Sequence, residues 1–399
     1  MSKNTSRVPA YRLLTQLAFL ALVTTAAIRH QLLGGGPDGS ASIDALCPFG
    51  GLETLYKFVA SGGFINRLYY SDLVLLAGTI ALALIVGRYF CGWICALGTL
   101  QELSRKLGQR LFRKRHFVMP AVADKPLRWL KYLVLLGTLY LTWQTATLII
   151  RPYDPWAAYA HAFAGLGEMW AEFAVGASIL LLSLIASVFY DRVFCKYVCP
   201  LGAFLGLTTK LGAFRIRRET DACISCGLCE QKCPVNIPLM RRDVIHSAEC
   251  IACLGCTTTC PTGKRGTEHE GKSFLHNTLG RFKVSPGWLA TLGLALFLGT
   301  LGAAKLAGVW QTSPATLTEV VSTDGALDPA NIRGFMTLSE VATTFHVDLD
   351  TLYRELGFTQ DKVPPDTPCK AIRQKLGVSE TEFDTQRVRD AVARLRQPE

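Results

Sequence analysis

The sequence predicts a mainly α membrane protein of about five transmembrane helices, with a small cysteine-rich domain inserted before the last helix and a small helical domain at the C-terminal end. Three observations predict it. Half of the 399 residues are apolar and only 18% are charged, a balance typical of chains solvated by lipid. Five separate segments are long and apolar enough to cross a bilayer. Twelve of the fourteen cysteines fall between residues 91 and 260.

Crossing the hydrocarbon core takes about 20 apolar residues, and segments 11–28, 72–89, 128–150, 171–190 and 287–309 meet that need. The first follows Lys3 and Arg7, as a signal peptide would, but it runs into Arg29, His30 and Gln31 with no small-residue cleavage site. An uncleaved anchor is expected. Orientation follows from Lys and Arg in the short loops, which stay on the cytoplasmic side. Arg105, Lys106, Arg110, Arg113, Lys114 and Arg115 follow helix two, and Lys210, Arg215, Arg217 and Arg218 follow helix four, whereas the loop after helix three has only Arg151. The N-terminus, 90–127 and 191–286 are therefore expected inside, and 30–70, 151–170 and the chain beyond about 310 outside. The formal charge of +11 is on this reading a topological signal and not a nucleic-acid footprint. The expected domains are 1–215 with helices one to four, 216–270 with most cysteines, 285–310 with helix five, and 325–399 as the helical outer domain.

Disulfides rarely persist on the cytoplasmic side, so the cysteines placed there point to metal or cluster ligation. Cys223, Cys226, Cys229, Cys233 and Pro234 form a C-x2-C-x2-C-x3-C-P run, repeated as Cys250, Cys253, Cys256, Cys260 and Pro261. This is the signature of the bacterial two-cluster ferredoxin, with three thiolates from one loop round a cubane and the fourth from the other run. Cys223, Cys226, Cys229 and Cys260 are assigned to one 4Fe-4S cluster, and Cys250, Cys253, Cys256 and Cys233 to the second. Structural zinc competes for soft thiolates, but a doubled pattern closed each time by proline favours clusters. Small or apolar neighbours such as Ile224, Gly227, Ile251 and Leu254 let backbone amides approach the sulfides.

Two further pairs stand 104 residues apart. Cys91-Gly-Trp-Ile-Cys95-Ala-Leu-Gly follows helix two, and Cys195-Lys-Tyr-Val-Cys199-Pro-Leu-Gly follows helix four. Phe90 and Phe194 precede the pairs, and Arg88 and Arg192 stand near the helix ends. This is an internal repeat in which two hairpins related by pseudo-symmetry would bring four thiols together at the membrane edge. Positions i and i+4 share a helix face, so a further metal, a further cluster or a redox-active dithiol is the functional reading. Buried structural cysteine is the plain one.

On these motifs and the Cys47-Pro48-Phe49-Gly50-Gly51-Leu52-Glu53 loop, residues 10–310 resemble the polyferredoxin-like membrane proteins of the NapH and NosR type. The resemblance implies a bacterial inner-membrane protein that carries electrons from the quinol pool toward a respiratory reductase, as a quinol-dehydrogenase-type subunit. Two departures stand out: Cys95-Ala96 replaces the usual Cys-Pro, and no large flavin-binding region precedes helix one. Copper-oxidase assembly factors share the layout, so the competing reading is a maturation factor that reduces a metal or a disulfide for a respiratory enzyme. No C-x-x-C-H motif occurs and the seven histidines fall outside the predicted helix interiors, which argues against heme.

Quinol oxidation releases protons, and His161, Asp154, Glu53 or His30 could accept them on the outer face. The segment Arg151 to Glu168 reads as a short interfacial helix. Cys47 is either a ligand or a structural thiol. An outer quinol site would stand about 30 Å from cytoplasmic clusters, with the C-x3-C pairs expected on the far side, so either quinol is handled near the cytoplasmic face or another subunit completes the path. In the C-terminal domain, Thr337-Leu-Ser-Glu340 is a capping box opening an amphipathic helix. Leu349 to Leu356 and 384–396 suggest two more, and Cys369 reads as a lone structural thiol. This domain has too few ligands for redox chemistry, and partner docking or passive capping are its two readings.

Overall fold

The computed structural model describes residues 7–33, 40–41, 43–61, 70–112, 119–145, 150–163, 165–221, 223–261, 274–312, 329, 332, 334, 336–378 and 383–396. Lys3 and Arg113 to Arg115, used above for orientation, lie outside the described residues. The five predicted spans appear as α1 (Val8–Leu33), α3 (Tyr70–Ile85), α5 (Ala121–Thr145), α7 (Leu166–Phe189) and α12 (Pro286–Leu306). Between them run α2 (Pro48–Ser61), α4 (Ala96–Leu111), α6 (Pro155–His161), α8 (Val193–Tyr197), α9 (Pro200–Leu211), α10 (Leu228–Gln231) and α11 (Gly255–Thr259). Among the described residues α1, α7 and α12 are long and apolar enough to cross a membrane, and α3 is a shorter apolar helix. α5 begins seven residues before its predicted start. Asp124, Lys125, Arg128 and Lys131 lie in its first turns. Helix α1 runs on to Leu33 and takes in His30, whose Nδ1 lies 2.9 Å from the Ser40 carbonyl.

The helix ends meet in the alternating order that successive spans demand. At one end Arg12 of α1 pairs with Glu102, Tyr89 donates to the Ala290 carbonyl of α12 at 2.7 Å, and Arg128 of α5 donates to Val235 of the cysteine-rich domain at 2.9 Å. At the other, the Ser71 N–H in the first turn of α3 donates to the Gln311 carbonyl beyond α12 at 3.1 Å, and Thr142 of α5 donates to Glu53 of α2 at 2.9 Å.

The cysteine-rich domain is framed by an antiparallel sheet of order β2-β1-β3-β4, with β1 (Phe214–Arg218), β2 (Val244–Ile245), β3 (Leu275–Leu279) and β4 (Phe282–Val284). The sheet extends past the expected limits 216–270 at both ends, because β1 pairs along its whole length with β3. Phe214, Ile216, Ile245 and Leu275 join Trp93, Leu205 and Leu289 in one core, so this domain is packed onto the helices.

The C-terminal region builds its own core from Leu338, Val341, Phe345, Leu352, Leu356, Ile372 and Val388. The capping box forms as expected, Thr337 and Glu340 each satisfying the other's backbone N–H at the start of α13 (Leu338–Phe345). α14 (Leu349–Leu356) and α16 (Thr385–Leu395) match the other two expected helices, and α15 (Ile372–Leu376) is an unexpected short one. Cys369 is buried here, and burial pushes its thiol up to about 12, which leaves it inert.

Candidate metal centres

The two ferredoxin-type loops repeat their backbone as well as their cysteines. Ser225 and Gly227 in the first, and Ala252 and Leu254 in the second, hold the left-handed conformation at equivalent steps, with φ of 52°, 71°, 49° and 60°. L-residues visit that region rarely. Its recurrence at Ala252 and Leu254 marks a winding that the loop needs: chains of this shape turn successive N–H groups into a concavity suited to an anion. Cys223, Cys226, Cys229 and Cys260 line one small cavity with Met240, Phe274 and Leu275. Cys256 lies in the field of Cys253, Cys250 and Cys233, the other predicted set. The residues therefore fit two four-thiolate groups. No three Cys, His, Asp or Glu side chains among the described residues come close enough together to hold a single metal ion.

The four remaining thiols also converge. Cys95 and Cys199 lie close to Cys91 and Cys195. Each pair dips into the bundle. In the first, Cys91 lies within a π-type turn (Phe90–Ile94) and Cys95 directly follows it, a feature found often at functional sites. Ala96, next to Cys95, is buried with Val23 and Ala27 of α1, Ile43 and Ala160. Cys95 and Cys199 then serve as the N-caps of α4 and α9 with nearly the same backbone, φ/ψ of −59°/115° and −62°/111°. Ala96 thus occupies the position that Pro200 takes in the second repeat, and the departure from Cys-Pro leaves the geometry intact. The Cys199 thiol accepts the Gly202 N–H at 3.3 Å, and Cys195 accepts Gln101 Nε2 at 3.3 Å.

An apolar cavity of about 490 Å³ opens beside these thiols. Cys95 and Cys199 form part of its wall, together with Cys47, Asp154 and Trp156 from the loops at the opposite end. The C-x3-C segments and the loop at Asp154, which the sequence assigns to opposite sides, therefore border one cavity. The C-x3-C segments reach inward, α2 and α6 fold in from the other end, and one cavity touches both. Asp154 caps α6 by accepting the Trp156 N–H at 2.9 Å, and burial, with Asp44 nearby, pushes its carboxyl up to about 7. Glu53 is buried behind the wall and reaches about 8 for the same reason, with Asp154 adding to it. His161 stacks on Phe173 with ring centres 4.3 Å apart and does not line the cavity. Of the proton-accepting candidates, Asp154 alone stands on the wall.

Sequence reading missed the second layer. Glu102, from α4, binds Arg12 and Arg192, and Glu249, one residue before Cys250, binds Lys131 and Arg128 and approaches Arg88. Trp93 donates to the Ala252 carbonyl at 2.9 Å and Arg88 to Ala248 at 2.8 Å, so the second ferredoxin loop sits directly on the first C-x3-C segment. Only tertiary contact reveals these pairings, since the partners are separated by more than 85 residues in every case.

Comparison with known proteins agrees with this anatomy. A family described as a 4Fe-4S binding domain matches twice, at residues 70–115 and 173–219, so that each match covers one C-x3-C repeat. A 4Fe-4S dicluster domain matches residues 215–261. The chain is 33% identical over 277 residues to YccM of Escherichia coli (strain K12), whose name gives electron transport as a provisional role, covering 68% of this chain and 75% of that one. Similarity to NirI of Paracoccus denitrificans is 31% over 263 residues, or 63% of this chain and 36% of NirI. To the regulatory protein NosR of Pseudomonas aeruginosa it is 31% over 202 residues, or 49% of this chain and 27% of NosR.

The chain belongs to the NapH/NosR-type family of iron-sulfur membrane proteins. It carries two 4Fe-4S clusters and is an iron-sulfur electron-transfer protein. When bound, such a cluster accepts or releases one electron at a time. No solved structure matches the chain.

Proposed function

We propose that the protein transfers electrons between the quinol pool and a respiratory reductase in the bacterial inner membrane, with the ferredoxin domain on the cytoplasmic side and residues 325–399 on the periplasmic side. One observation carries this reading: the apolar cavity has walls that include both Asp154 and the thiols Cys95 and Cys199. Binding pockets for small hydrophobic ligands have this size and this character, apolar walls with a few converging polar groups. Oxidation of a quinol yields a quinone, two electrons and two protons. Asp154, ionised above about pH 7, is placed to take a proton, and Glu53 behind it is a second acceptor. Cys91, Cys95, Cys195 and Cys199 would hold a third 4Fe-4S centre. Cys250, Cys253, Cys256 and Cys233 would hold the cluster nearer that centre, and Cys223, Cys226, Cys229 and Cys260 the farther one, beside the exposed Cys226. Orientation rests on the Lys and Arg excess in 90–127 and 191–286.

The test is EPR of anaerobically purified protein with iron and sulfide quantified, comparing dithionite with a menaquinol analogue as reductant. Signals generated by the quinol, with iron beyond the eight per chain of two clusters, are expected. Gly137 lines the cavity and has open space where a Cβ would stand, so Gly137→Phe is expected to raise the quinol KM while leaving dithionite reduction unchanged. Signals seen only with dithionite would turn the reading toward a maturation factor.

A further inference from the structure

The four-thiol site is crossed by two arginines in a pattern that the repeat imposes. Arg88 stands three residues before Cys91, and Arg192 three before Cys195. Each reaches over to the other repeat. A Cβ on Gly202 would come within 2.9 Å of Arg88 Nη2, and one on Gly98 within 2.9 Å of Arg192 Nη1. These glycines, three residues after Cys199 and Cys95, are thus notches that admit the opposing guanidinium. Arg88 lies against the Cys91 and Cys199 thiols, and Arg192 against Cys195 and Cys95, so each charge spans one thiol of its own repeat and one of the other. Arg192 Nη1 also donates to the Cys91 carbonyl at 2.6 Å.

Both arginines are almost wholly buried, at 2% and 0% exposure. A buried charge is costly unless it is matched. Among the described residues Arg192 shares Glu102 with Arg12, and Arg88 approaches Glu249, which also binds Arg128 and Lys131, so each carboxylate meets more than one cation. Positive charge is thus left over beside the four thiols, and among the described residues Arg88 Nε is buried without a hydrogen-bond partner. Four thiolates on an oxidised 4Fe-4S core carry a net charge of about −2, which buried positive charge offsets, and reduction adds one more negative charge.

We propose that Arg88 and Arg192 are positioning residues that fix two positive charges on the four-thiol centre and raise its reduction potential toward the range a quinol can reach. The inference rests on the reading of a third centre at Cys91, Cys95, Cys195 and Cys199. Net charge and the groups round the sulfurs are the means by which a protein sets such a potential. Fixed guanidiniums favour the more negative, reduced form, whatever the pH.

The experiment is an EPR-monitored potentiometric titration of the full-length protein, with iron counted, for wild type, Arg88→Gln, Arg192→Gln, Arg88→Lys and Arg192→Lys. Each Gln variant is expected to lower the reduced-to-oxidised ratio of the third centre at fixed potential by on the order of tenfold, about 59 mV for a one-electron couple, with the Lys variants closer to wild type. The cluster of Cys223, Cys226, Cys229 and Cys260 is the internal reference, because Arg88 also faces Cys250 of the other one. Loss of third-centre iron from the Gln variants but not the Lys variants would equally support a required charge. Equal loss from both kinds, or potentials unmoved in the Gln variants, would overturn the tuning. Wild-type protein with no iron beyond the two ferredoxin clusters would overturn the centre itself, and this inference with it.

Discussion

The ferredoxin loops and the C-x3-C pairs both gather four cysteines at a time, yet they do so by opposite means. In each loop three of the thiols come from seven consecutive residues, the winding is local, and backbone amides supply the favourable polarity. In the C-x3-C site two thiols come from each of two repeats 104 residues apart, the thiols are enclosed by helices, and the polarity comes from whole charges on Arg88 and Arg192. A local loop can be built anywhere there is room for it, and here it leaves Cys226 exposed. The pseudo-symmetric site exists only where both hairpins are folded against each other, which ties it to the membrane portion and to the cavity.

If that contrast is real, the two systems separate under mutation. The largest effect is expected from Cys95→Ser combined with Cys199→Ser: reduction by a menaquinol analogue falls to background, while dithionite still produces both ferredoxin signals. Equal loss of all signals would show that the two systems assemble as one. Next come the single loops. Cys226→Ser should remove the signal of one ferredoxin cluster and Cys253→Ser that of the other, and EPR of each variant sharpens the assignment. A smaller change is expected from Asp154→Asn. As a proton acceptor Asp154 works only when ionised, so the quinol-dependent rate of the wild type should rise with pH through about 7. The Asn variant should lose that rise and, above pH 7, lose roughly a hundredfold in rate, the lower range for a general base. A pH profile unchanged by the substitution would remove Asp154 from the reaction.

How much of this was legible in the sequence follows the same contrast. The spans, the cysteine runs and the Thr337–Glu340 cap depend on neighbours a few residues apart, and the structure reproduces them with small shifts such as the earlier start of α5 at Ala121. The 104-residue repeat was legible as a pattern, but not its depth in the bundle. Nothing in the spacing of Cys95 and Cys199 says that their caps begin helices buried beside Ala27 and Leu76. The exchange of Arg88 and Arg192 across Gly202 and Gly98 was equally hidden, since it needs the two hairpins to be docked. One signal was available: both glycines stand at the third position after a cysteine, and both arginines at the third before one.

The smallest effect on electron transfer is expected from the C-terminal domain, whose core shares no residue with the one beneath the clusters. Leu352 is fully buried there beside Val388 and Phe345. Leu352→Ala should destabilise this domain by about 2–5 kcal/mol, the usual cost of such a cavity. Thr337→Ala should cost only about 1 kcal/mol, because it removes a single cap. Neither should change quinol-dependent reduction of the clusters in purified protein, which limited proteolysis alongside EPR would establish. Delivery of electrons to a reductase is the sensitive measurement. If Leu352→Ala or removal of 325–399 slows that delivery while cluster reduction stays normal, the domain is a docking module. If both rates stand, it is a passive cap, and the partner must be met elsewhere on the protein.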